Sequence, residues 1–213
     1  MSTIQPFGLQ VGDGRELLGI IHAPDQPGPR PTVVVCHGFK GFMDWGFFPF
    51  LAELLAERGF AVVRFNFTGS GMRPGDELVT DTEAFRRATF SQDLRDLERV
   101  LSSMGTEIGE GCVDPERIGL FGHSRGGGIA TLVAAQEAWR KRLRALVTWA
   151  AVSTFDRLTL DEKELWLQPR APEPGEVVID AAKLSEGEHR LTVSAVGNRG
   201  ALGTQYVYIR ADD

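Results

Sequence analysis

The stretch from Arg117 to Ala130 constrains this chain more than any other. Ile118, Leu120 and Phe121 form a short apolar run of strand length, with Asp114-Pro115 before it as turn punctuation. Gly122-His123-Ser124-Arg125-Gly126 then fits G-x-S-x-G, and a helix-forming run follows from Ile129 to Ala138. The pentapeptide alone arises by chance in many chains; a strand before it and a helix after it predict a nucleophile elbow. In such a turn Ser124 takes a strained backbone conformation and its hydroxyl stands clear of the sheet. Gly122 and Gly126 lack the Cβ atoms that would collide as strand and helix pack around the turn. The backbone N–H of Arg125 then opens the helix and faces the place where an oxyanion would form.

The surrounding chain reads as alternating strands and helices. Residues 4–11 and 15–22 predict two strands joined at Gly12-Asp13-Gly14, where Asp-Gly is a strong hairpin signal. After a proline-rich loop from Pro24 to Pro31, Thr32-Val33-Val34-Val35-Cys36 has the continuous β-branched character of a strand buried on both faces. His37-Gly38-Phe39-Lys40-Gly41-Phe42 follows directly. Trp45 to Arg58 is amphipathic at helical spacing and Gly59 stops it as a C′ glycine. Phe60 to Phe67 predicts another strand, Thr68 to Gly71 a surface loop, and Thr82 to Met104 one long helix with Phe90, Leu94, Leu97 and Leu101 on its buried face. Asp93 and Asp96 read as its solvated side. Leu143 to Ala151 predicts a further strand, preceded by basic residues Arg140-Lys141-Arg142 that solvate a helix end. This order implies a parallel sheet covered on both faces, with chemistry in the loops at the carboxyl ends of the strands.

At this point the sequence resembles the α/β-hydrolase family, in particular small bacterial hydrolases of the dienelactone-hydrolase and serine-aminopeptidase-like kind. The resemblance rests on four stretches: His37 to Phe42 with Asp44-Trp45-Gly46, Arg64 to Phe67, Gly122 to Gly127, and Ala151 to Arg157. It covers about residues 5–165 and implies a three-layer α/β/α fold with a mostly parallel sheet. It implies Ser124 as nucleophile and an oxyanion hole from the backbone N–H groups of Phe39 and Arg125. In that family an acidic residue and then a histidine follow later strands.

The C-terminal part departs from this pattern. Gln168 to Gly175 is a proline-rich spacer, and beyond it lie three short alternating runs, Val177 to Ile179, Arg190 to Val196 and Gln205 to Ile209. The sheet thus reads as lacking its last strands, with a core over 1–167, a linker over 168–175 and a β-rich tail over 176–213. Part of the tail resembles the late strands of bacterial immunoglobulin-like domains.

Serine is a weak nucleophile unless a base activates it and a third group orients that base. Four histidines exist. His22 reads as structural, His37 as a brace of the loop after its strand, and the side chain of His123 as pointing away from the elbow. His189 alone follows Ser124, with Asp180 and Asp161 between them as possible acids. His189 is therefore a candidate base and Asp180 its candidate partner; a solvated turn histidine and a turn-forming aspartate are the alternatives.

Composition narrows the remaining classes. The formal net charge of -6 over 213 residues argues against a nucleic-acid footprint. Two cysteines offer no disulfide framework and favour a reducing compartment. No basic leader or apolar run of roughly 18 residues suggests export or a membrane helix. The expected protein is cytoplasmic, uses no metal or other cofactor, and acts on a small ester or similar acyl substrate. Trp45, Phe47, Phe48 and Phe50 are candidates for an acyl pocket or for plain helix packing. A different class also fits: a non-catalytic interaction or assembly module in which the elbow is a relic and the β tail pairs with a partner or with itself, and the open sheet edge allows a homo-oligomer.

Overall fold

The computed structural model describes residues 3–12, 14–155, 187–196 and 202–211, the last two stretches by their backbone. Two units are present, Met1–Phe155 and Asp156–Asp213. The expected boundary at 167 and the linker lie outside the described residues.

The first unit is a six-stranded sheet in the order β1-β2-β4-β3-β5-β6. Strands β1 (Thr3–Gln10) and β2 (Glu16–Ala23) form the expected antiparallel hairpin, with Gly12 and Gly14 at φ 82° and 70° in the connection. Strand β2 also runs antiparallel to β4 (Ala61–Phe65). The others, β3 (Arg30–Cys36), β5 (Val113–His123) and β6 (Leu143–Trp149), pair in parallel with β4 and with one another. The continuous β-branched run of β3 is explained by its central place, because neighbours of both strand faces exclude water there. Val34, Cys36, Val63 and Phe65 belong to one core; Val35 and Val62 belong to the other. Each fully buried large apolar side chain contributes about 1.5–3 kcal/mol, so this alternation locks the register.

Helix α1 (Phe48–Glu57) covers the second core through Phe48 and Ala52. It begins three residues later than its periodicity predicts, because Pro49 sits in its first turn and residues 45–47 form a turn with Gly46 at φ 56°. Its end is a Schellman motif: Gly59 at φ 88° donates to Ala56 O and Phe60 donates to Leu55 O. Helices α3 (Phe90–Ser103) and α4 (Arg125–Ala135) cover the opposite core through Leu97, Val100, Leu101, Ile129 and Val133. A final turn, α5, spans Glu137–Arg140.

The single helix expected from Thr82 to Met104 is two: α2 (Thr82–Arg86) and α3. Each has its own N-cap. The Asp81 carboxylate accepts from Ala84 N–H and the Thr89 hydroxyl oxygen from Gln92 N–H. Between them Ala88 is buried against Gly69, where an added Cβ would lie 2.5 Å from that of Ala88. Thr68–Ser70 is a 3-10 turn, with Gly69 and Ser70 buried, and not the surface loop its glycines suggest. Arg142 is likewise more than a solvating charge: its guanidinium donates to Pro115 O and Leu101 O.

In the second unit, β7 (Gly187–Val196) and β8 (Leu202–Ala211) form an antiparallel hairpin. The two runs expected over 190–196 and 205–209 fall within them, whereas 177–179 lies outside the described residues. No helix among the described residues is long and apolar enough to cross a membrane.

Candidate active site

Strands β3 and β5 are parallel neighbours, so the loop after one faces the turn after the other. The backbone of Ser124 lies at φ 53° and ψ -119°, in a region that costs a non-glycine residue on the order of 1–3 kcal/mol. Local packing imposes it. A Cβ on Gly122 would lie 2.5 Å from Gly127 Cα, and one on Gly126 would lie 2.3 Å from His37 O and 2.4 Å from Cys36 O. Ser124 N–H donates to Trp149 O (2.9 Å), while Gly127 N–H and Val152 N–H both donate to Ser124 O. Helix α4 begins at Arg125, four residues earlier than the apolar run indicates, because three successive glycines are tolerated by close packing rather than by helix propensity.

The loop from His37 to Gly46 comes up against this turn. A Cβ on Gly38 would stand 3.0 Å from that of Ser124. His37 is buried; Phe67 N–H donates to its Nε2 (3.1 Å), so Nδ1 carries the proton and donates to Gly38 O (2.9 Å). Burial foremost, with Arg125 adding to it, holds its pKa down at about 3. Further along, Arg64 donates to Met43 O, to Asp44 Oδ1 (2.7 Å) and to His22 Nε2 (3.0 Å), and Asn66 Oδ1 accepts from Met43 N–H (2.7 Å). His22 is drawn down to about 4, by burial first and then by Arg64. These two histidines are neutral struts at neutral pH. His123 turns from the nucleophile into aromatic rings, stacking on Trp45 at 5.6 Å and meeting Phe47 and Phe48 edge-on.

Of that aromatic set, Phe48 is buried core, Phe47 packs on Trp149, Trp45 is 41% exposed, and Phe50 points outward at 70% exposure. Phe39 is 39% exposed and stacks on Phe85 at 5.8 Å.

Asp93 and Asp96 are both buried, contrary to the solvated face expected of them. They lie on the stripe that carries Leu97, Val100 and Leu101, and each has a distant partner. Asp96 accepts from Thr68 N–H (2.7 Å), Thr68 Oγ1 and Gln92 Nε2, while burial raises its pKa. Asp93 meets Arg125 Nη2 at 2.9 Å. Burial pushes Asp93 up to about 7; Arg125 works against that and Asp96 adds to it.

Ser124, Arg125 and Phe39 thus meet at the carboxyl ends of β3 and β5. His189 lies on β7 in the second unit, and Asp180 and Asp161 lie outside the described residues. Sequence reasoning missed Arg64, Asn66 and Asp93. A signal existed for Asp93, whose i+4 and i+7 neighbours are Leu97 and Val100. Among the described residues no group of three or more His, Cys, Asp or Glu could hold a metal ion.

Comparison with known proteins agrees with this fold. The sequence model of a family described as the alpha/beta hydrolase family matches residues 33–204. An Escherichia coli protein, described as an uncharacterized 31.7 kDa protein in the traX-finO intergenic region, is 31% identical over 133 residues, 62% of this chain and 41% of that one. The 2,6-dihydropseudooxynicotine hydrolase of Paenarthrobacter nicotinovorans is 26% identical over 159 residues, 73% of this chain and 38% of that one. The chain spans about two fifths of the length of these curated relatives. Among solved structures, a dienelactone hydrolase-like promiscuous phosphotriesterase from metagenomic libraries has a TM-score of 0.54 at 22% identity, covering 70% of this chain and 59% of that one.

Proposed function

The chain belongs to the alpha/beta hydrolase family, and on that premise we propose that it is a serine hydrolase acting on a small ester or similar acyl substrate through an acyl-enzyme on Ser124. The observation that carries this is the backbone of Ser124 at φ 53°, held by glycine-to-backbone contacts that permit no side chain. Strain of this kind persists only where the surroundings over-determine it, and it concentrates at functional sites. The Ser124 oxygen attacks the carbonyl carbon and the Phe39 and Arg125 N–H groups stabilise the resulting oxyanion. His189 takes the serine proton and passes it to the departing alcohol, oriented by Asp180; water then releases the acyl group. His22, His37 and His123 are occupied as struts and packing, which supports assigning the base to His189. The hydrolase activity named for the Paenarthrobacter relative supports hydrolytic chemistry in general. Free Cys36 and Cys112 support a cytoplasmic setting.

A second reading has one observation in its favour. Strand β6 ends the described sheet with Leu146, Val147 and Trp149 39%, 54% and 58% exposed. An edge of that kind suits pairing with a second copy and a non-catalytic assembly role. Intact-mass labelling with a fluorophosphonate separates the readings. The hydrolase reading expects fast single labelling of the full chain, lost in Ser124→Ala and His189→Ala. Loss in Ser124→Ala alone removes His189 from the mechanism, and an unlabelled folded chain leaves the assembly role.

A further inference from the structure

The Arg125 side chain does something its place in the motif does not require. Its guanidinium lies 5.4 Å from the centre of the Phe39 ring and 5.6 Å from that of Phe90, and it meets the Asp93 carboxylate at 2.9 Å. Arg125 is 11% exposed and Asp93 fully buried. Three segments therefore converge on one cation: the loop after β3 through Phe39, helix α3 through Asp93 and Phe90, and the elbow through Arg125 itself. Arg125 and Phe39 are also the two residues whose backbone N–H groups form the oxyanion hole proposed above.

We propose that the Asp93–Arg125 pair is a positioning device that fixes the loop of Phe39 against the elbow and so sets the separation of the two oxyanion-hole donors. This rests on the serine-hydrolase reading of Ser124. The physical case is that a guanidinium is planar and stacks on aromatic faces, whereas it gains most from a carboxylate where water is excluded. In its ionised form Asp93 gives Arg125 one buried charge partner at 2.9 Å, so its plane is held against Phe39 instead of swinging toward solvent. Phe85, stacked on Phe39, closes the arrangement from the side of α2. Misplacing a catalytic donor by about 1 Å can cost on the order of 100-fold in rate, so a device that holds the gap acts on turnover and not on substrate affinity. The groups that face Asp93 are Arg125 from α4, Asp96 on its own helix, and Cys36 from β3, whose thiol burial pushes well above its usual range.

Steady-state hydrolysis of p-nitrophenyl acetate by the full chain tests this, with melting temperature followed alongside. Arg125→Ala keeps the backbone N–H and removes the clamp; kcat is expected to fall about 10-fold or more with KM within about twofold. Asp93→Asn keeps the shape and removes the charge, with an expected loss in kcat of about fivefold. Arg125→Lys restores the charge without the planar face and falls between them. Should Arg125→Ala fail to fold, Asp93→Asn and Arg125→Lys decide the matter. If kcat in the folded variants stays within about twofold of wild type, or if KM alone rises, the positioning role is wrong while the hydrolase reading stands. If Ser124→Ala hydrolyses as fast as wild type, both are wrong.

Discussion

Ser124 is held by main chain, whereas the loop that carries Phe39 is held by side chains, most of them from other elements. At the elbow the decisive contacts are Gly126 against His37 O and Cys36 O, and Gly122 against Gly127, with no side chain between. In the loop after β3 they are His37, Arg64 and Asn66, which bind Gly38 O, Met43 and Asp44. The elbow is held by steric exclusion, which leaves a legible glycine pattern. The loop is held by polar satisfaction across distant positions, which leaves none.

The sharpest way to break the elbow half is Gly126→Ala. The added Cβ would press on two carbonyl oxygens of the neighbouring strand and loop, and backbone cannot give as a flexible side chain can. The expected outcome is a loss of about 3 kcal/mol in denaturant unfolding and of about 100-fold in fluorophosphonate labelling rate.

The loop half should break less completely. Arg64→Met removes the donor shared by Met43 O, Asp44 and His22, and leaves their polar atoms without it. A loss of about 2–3 kcal/mol is expected, with a smaller fall in labelling than Gly126→Ala produces. An equal or larger fall would mean that the loop, not the elbow, limits the site.

Acid separates the two halves by sign. His22 and His37 have folded values of about 4 and about 3 against 6.5, so they take up protons on unfolding. Stability they contribute is present above pH 6.5 and is lost as pH falls toward those values. Asp93 is raised from 3.8 to about 7, so its contribution is fully present below 3.8 and is lost as pH rises through 7. Asp93→Asn removes this opposing contribution. Its melting temperature is therefore expected to drop more than that of wild type between pH 7 and 5, by roughly 2–4 °C. Parallel curves for the two proteins would remove Asp93 from the balance.

The smallest effect belongs to Lys40, which sits at φ 58° in the loop and is exposed. Lys40→Gly relieves left-handed strain but frees the unfolded chain, and the two nearly cancel at about 1 kcal/mol each. Thermal unfolding should move by less than about 2 °C. A large loss would show that the Lys40 side chain beside Phe39 helps hold the loop.

How much was legible follows from these same residues. The hairpin at Gly12 to Gly14 and the Gly59 stop depend on contacts within a few residues, so their glycines announced them; the elbow packs on distant Cys36 and His37, yet its glycines lie within one short stretch and announced it as well. The division of 82–104 was half legible, since Thr89 followed by Gln92 three positions on is a capping pattern, but the hydrophobic period continued through it. The burial of Asp93 and Asp96 was hidden because a carboxylate is ordinarily solvated, and only a cation or hydrogen-bond donor supplied by another element reverses that preference.

The α/β alternation, the place of Ser124 and the pairing of two strand-end loops as one site were readable from the residues alone, because periodicity and the elbow's glycine spacing are local patterns even where the contacts they serve are distant. Tertiary structure alone decided which polar residues hold that site together. The partners of Arg64 lie about 20 and 42 positions away, and Arg125 lies 32 from Asp93. Whether such a charge is buried and paired depends on what the fold brings to meet it.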